Sequence, residues 1–83
     1  MLMDRKQVLE DISRICVDTF ENSQIIITES TSASDIEEWD SMTNLILIDN
    51  IERHFKVKLS LDDILAAQNV GDLSNFILKK IAA

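Results

Sequence analysis

Apolar residues recur along this chain with a helical rather than an alternating rhythm. Val8, Leu9, Ile12, Ile15, Cys16 and Phe20 share one stripe at a period near 3.6, while Arg5, Glu10, Asp11, Arg14 and Asp18 fall largely elsewhere. The pattern predicts an amphipathic helix from Asp4 to about Glu21. Its start carries two further signals: Asp4 with Gln7 three positions on makes a capping-box pattern, and Met3 with Val8 occupies the hydrophobic-staple positions. From Asn22 to Ser34 the rhythm vanishes. "NSQIIITESTSAS" joins a β-branched triplet to a Ser/Thr-rich run, and a lone strand at Ile25 to Ile27 would have no partner, so a long ordered loop pinned by some of its isoleucines is expected.

A second helix opens at Asp40 or Ser41 and ends near Phe55. Met42, Leu45, Ile48, Ile51 and Phe55 form its stripe, and Ile46 and Leu47 widen it so far that the helix is expected to be mostly buried. Ser60 followed by Asp63 caps a short helix from Leu61 to about Ala67, with Ile64 and Leu65 apolar. Asn69 and Asp72 frame a last helix with the stripe Val70, Leu73, Phe76, Ile77 and Ile81, and Lys79 and Lys80 sit where its dipole favours cations.

Composition sharpens this picture. The absence of proline and the single glycine, Gly71, leave little turn chemistry for hairpins. The class is therefore all-α, a small four-helix bundle of three longer helices and a short third one, with a long loop between the first two. Eighty-three residues make one domain, 1–83. A net charge of −7 argues against nucleic acid and suits basic partners. Cys16 stands alone, so no internal disulfide forms, and no apolar run is long enough to span a bilayer. "MLMDRKQ" turns charged at once, so no signal peptide is expected, and the default is a cytoplasmic monomer.

Catalytic chemistry finds little purchase. Cys16 and His54 are the only residues of their kinds; Cys16 reads as a buried small hydrophobe and His54 as a surface residue near a helix end. The carboxylates from Asp35 to Asp40 lack the alternating ligands and central glycine of an EF-hand loop, so no metal is expected. One hydroxyl stands out by position. Serine and aspartate both cap helices, but Asp40 can cap alone, which leaves Ser41 at the first helical position, free to face solvent.

Asp40-Ser41-Met42, then Ile51-Glu52, then Val70, Asp72 and Leu73 of "NVGDLSNFI" follow one another in an order and spacing that resembles the acyl carrier proteins. The likeness spans nearly the whole chain. It implies a carrier rather than an enzyme, with 4′-phosphopantetheine attached at Ser41 by a phosphopantetheinyl transferase using coenzyme A, and an acyl group held as a thioester. An anion there is favoured by the helix N-terminus by about 0.3–1 kcal/mol. Asp35, Glu37, Glu38 and Asp40 oppose it, so the phosphate is expected to point into water. The resemblance also implies partners: acyl-activating, acyl-transferring or condensing enzymes whose basic patches dock on Glu38, Asp40, Met42, Asp49 and Glu52. Arg53, His54, Lys56 and Lys58 make that face less uniformly negative than in fatty-acid carriers.

Two positions depart from the family pattern. Met42 replaces leucine, a nearly volume-conserving exchange, and Trp39 stands where many fatty-acid carriers have glycine or alanine. Trp39 is expected to be a lid that packs the loop on the core. Met42, Leu45, Ile46, Ile51, Leu59 and Ile64 are candidates to shelter an acyl chain, but each reads first as plain core. Fatty-acid, polyketide and related pathways all remain open. So do a peptidyl or aminoacyl carrier of the same fold and an unmodified acidic adaptor, although Glu-Trp-Asp-Ser favours an acyl carrier over the Gly-Gly-His-Ser of peptidyl carriers.

Overall fold

The computed structural model describes residues 4–82. In chain order it contains α1 (Arg5–Phe20), a 3₁₀ turn (Ala33–Asp35), α2 (Ser41–Phe55), α3 (Leu61–Ala66) and α4 (Val70–Ala82), and no strand among the described residues. The all-α bundle with a short third helix is thus as the periodicity predicts.

Asp4 caps α1 by accepting the Gln7 N–H at 2.8 Å. The other half of the expected capping box does not form. Gln7 turns its side chain down the helix instead and donates from Nε2 to Asp11 Oδ1 at 2.9 Å. Met3 of the expected staple lies outside the described residues. Glu21 ends α1 and Lys56 ends α2, both in the left-handed conformation that closes helices.

Val8, Ile12, Cys16 and Phe20 meet Leu47, Ile48, Ile51 and Phe55 of α2 and Val70, Leu73 and Ile77 of α4 in one core. Ile12, Leu47, Ile51 and Ile77 are fully buried, each stabilising the fold by roughly 1.5–3 kcal/mol. Burial pushes the Cys16 thiol up to about 12, so it stays protonated and inert. Polar bonds fix the α1–α2 register: Asn50 Nδ2 donates to Thr19 Oγ1 at 3.0 Å, and His54 Nε2 lies 3.0 Å from Asp11 Oδ2. Asp11 is therefore buried rather than on the polar face assigned to it by periodicity. His54, expected to answer only to its helix dipole, supplies that carboxylate with a partner.

The long loop is held as expected by Ile25 and Ile27, half-buried against the core, while Ile26 faces water. The 3₁₀ turn and the buried Thr31 and Ile36 were not legible in the pattern. The loop is also tied to α4 through backbone: Val70 N–H donates to Thr31 O at 2.8 Å and Gly71 N–H to Glu29 O at 2.7 Å, satisfying two of the free donors of that helix end. Arg5 braces the same strap, pairing with Glu29 and with Asn75 Oδ1.

A larger expectation also fails. α2 is not mostly buried, since Met42, Leu45 and Ile46 are exposed, and so is Leu65 with Leu61 on α3. α1 packs on α2 and α4 while α3 leans on α4, so among the described residues nothing lies across the outer face of the first two turns of α2.

Candidate functional site

Asp40 builds the start of α2. Its Oδ1 accepts the N–H groups of Met42 at 3.0 Å and Thr43 at 2.9 Å, and Thr43 Oγ1 reciprocates by accepting the Asp40 N–H at 2.9 Å. These bonds, that from the Thr43 N–H foremost, hold the Asp40 carboxyl below its ordinary value. Thr43 Oγ1 also donates to Glu38 O at 2.7 Å, which fastens the incoming chain. With the cap made by Asp40, Ser41 takes the first helical position, exposed and spared from capping.

Trp39 flanks this serine. Its ring packs on Phe20 of α1 with centroids 5.6 Å apart, and its Nε1–H donates to Asn44 Oδ1 of α2 at 2.9 Å. The indole is thereby fixed between two helices, the lid predicted from sequence. Beside it opens a cleft of about 290 Å³ with Ser41 among its walls. Trp39, Asn44 and Ile48 form one side, and Ile64, Gln68 and Leu73 the other. Of the six residues considered as acyl-sheltering candidates, Ile64 alone lines it. Ile51 and Leu59 are core, as they first read, whereas Met42, Leu45 and Ile46 face outward. Ser41, Asn44 and Ile48 stand at i, i+3 and i+7, so one wall was recoverable from spacing alone. The opposite wall depends on how α3 and α4 pack.

The docking candidates divide in two. Asp40, Met42 and Asp49 are exposed, with Asp49 Oδ2 3.2 Å from Arg53 one turn on. Glu38 and Glu52 are half-buried and used within the chain: Glu38 Oε2 accepts from Asn22 Nδ2 at 2.8 Å, and Glu52 Oε2 accepts the Leu59 N–H at 2.8 Å. Leu45 and Ile46, read as core, share the outer face with Met42 and Asp49. Among the described residues no cluster of His, Cys, Asp or Glu is placed to hold a metal ion, and no helix is long and apolar enough to cross a membrane.

A family model described as a phosphopantetheine attachment site matches residues 10–77, and the chain belongs to that family of carriers. Among solved structures it is similar to the holo acyl carrier protein from Geobacter metallireducens, determined by solution NMR. The two are 37% identical, the match covers 90% of this chain and 86% of that one, and the TM-score is 0.86. No curated protein matches. Within its family the chain is of the acyl carrier type: a carrier rather than an enzyme, holding 4′-phosphopantetheine covalently and meeting a phosphopantetheinyl transferase and other enzymes in turn.

Proposed function

We infer that Ser41 is the attachment residue and that the chain, as one carrier domain over residues 1–83, delivers acyl intermediates among cytoplasmic enzymes of fatty-acid, polyketide or related biosynthesis. The observation that carries this reading is the exposed Ser41 side chain at the first position of α2, spared from capping by Asp40.

The residues present fit the prosthetic group. A phosphodiester at Ser41 would lie at a helix N-terminus, where the dipole favours an anion, and Glu38 has its carboxylate turned to Asn22. When bound, the group supplies a thiol on a flexible arm that carries the cargo as a thioester. The chain's own part is to present Ser41 Oγ and let its proton go to the transferase. Asp40 is poorly suited to take it, being held below its ordinary value by first-turn N–H groups, and His54 lies about 20 Å away along α2. Activation therefore comes from the partner, as befits a carrier.

Partner enzymes dock on the outer face of α2, where Asp40, Asp49 and Met42 stand with Leu45 and Ile46. The apolar members give contact area, and the charged ones set approach and register. Incubating the purified chain with coenzyme A, Mg²⁺ and a broad-specificity phosphopantetheinyl transferase should add one phosphopantetheinyl group to the intact mass, and Ser41→Ala should add none. An unmodified wild-type chain across several competent transferases would leave the adaptor reading in its place.

A further inference from the structure

The cleft beside Ser41 is lined in part by residues outside the α-helices, Ala33, Trp39 and Asp40 from the first loop and Ala67, Gln68 and Asn69 from the link between α3 and α4, and Trp39 is the largest of them. A wall supplied by a loop is ordinarily free to swing. Here Trp39 is fastened twice, by its tilted ring contact with Phe20 and by the bond from Nε1–H to Asn44 Oδ1, and its backbone is turned in by the Trp39 N–H donating to Ile36 O at 3.1 Å. The floor is apolar, since Ile48 and Leu73 are buried and Ile64 is half-buried. At about 290 Å³ the cleft falls just below the usual range of ligand cavities, roughly 300–1,000 Å³.

We propose that Trp39, latched to Asn44, is the wall that limits this cleft to short acyl cargo. The inference rests on Ser41 being the attachment point. The apolar floor draws the alkyl part of a cargo out of water, and Trp39 bounds the space in which it can lie. A longer chain fits only if the indole leaves both its contact with Phe20 and its hydrogen bond, so the surplus methylenes stay in water. Trp39 is thus a specificity-determining residue for cargo length and takes no part in attachment.

The single tryptophan, in a chain without tyrosine, makes the test direct. The chain is loaded by a transferase from acetyl-, hexanoyl- and hexadecanoyl-coenzyme A, with loading checked by intact mass. Two signals are then read: the indole N–H resonance of Trp39 and the rate at which hydroxylamine cleaves the thioester. The hexanoyl form should shift the resonance and be cleaved more slowly than the acetyl form, and the hexadecanoyl form should gain no further protection. Trp39→Leu, which keeps an apolar side chain on the loop, should slow cleavage of the hexadecanoyl form by about tenfold, the effect of burying some two extra methylenes. Asn44→Ala removes the latch alone and should act in the same direction, whether or not the first variant folds. An indole resonance indifferent to cargo overturns the proposal, as does a hexadecanoyl form already protected beyond the hexanoyl form in the wild type. If no arm is added at all, the attachment reading fails separately. The free hexanoyl thioester of N-acetylcysteamine then probes the cleft: a shifted indole resonance supports the proposal and an unmoved one overturns it.

Discussion

Asp11 is a carboxylate on the buried side of α1, and it is tolerated there because Gln7 and His54 both reach it. Burial raises its carboxyl. The bonds from His54 and Gln7, with the positive charges of His54 when protonated and of Arg14, outweigh burial and hold it below its ordinary value. A carboxyl depressed in the folded state stabilises the fold fully above the unfolded value of about 3.9 and loses that contribution as pH falls through the folded value. Asp11→Asn should therefore cost about 1–3 kcal/mol at neutral pH, and the gap between variant and wild type should narrow in urea melts below about pH 3.9. This residue was misread from sequence for a plain reason: its partner His54 is 43 positions away, and periodicity reports faces, not pairings. Ser60 is the opposite case. Its box with Asp63 was visible three residues apart and forms as expected, with Asp63 N–H donating to Ser60 Oγ at 3.1 Å. Ser60→Ala should lower thermal stability by about 1 kcal/mol, read by calorimetry, with α1 and α4 intact.

Among the elements, α1 and α4 were legible because each buries a single stripe against neighbours on one side. α2 was only half legible. Its inner stripe of Ile48, Ile51 and Phe55 is buried as the spacing demands, yet the same apolar chemistry at Met42, Leu45 and Ile46 faces water. Whether a second apolar face is covered depends on where α3 comes to rest, which no local pattern records. The strap from the loop to α4 was hidden for a related reason, since it is made of backbone. Gly71 alone hints at it. A Cβ there would stand 2.9 Å from Glu29 O, closer than carbon and a carbonyl oxygen can approach, and the backbone would have to yield. Gly71→Ala should cost about 1–3 kcal/mol and increase hydrogen exchange at Val70 and at residue 71, the two amides bonded to the loop. Unchanged exchange at both positions would mean that the strap bears no load.

At the scale of the molecule, 15 acidic residues against 8 basic ones leave a chain that repels itself. Raising salt from about 0.01 M to about 1 M shortens screening from roughly 30 Å to about 3 Å, and the melting temperature should rise with it. A melting temperature that falls steadily with salt would mean that its ion pairs outweigh this repulsion. The acidic surface also offers several exposed hydroxyls, at Ser23, Ser30, Ser34 and Ser60 as well as Ser41, so exposure alone does not select an attachment residue. What distinguishes Ser41 is the conjunction of a helix start capped by its neighbour, the cleft beside it and the apolar outer face of α2. The most direct test is therefore site-resolved. After modification by a phosphopantetheinyl transferase, fragmentation of the peptide spanning α2 should place the arm on Ser41 and leave every other serine bare. An arm on a loop serine such as Ser34, with Ser41 unmodified, would contradict the account.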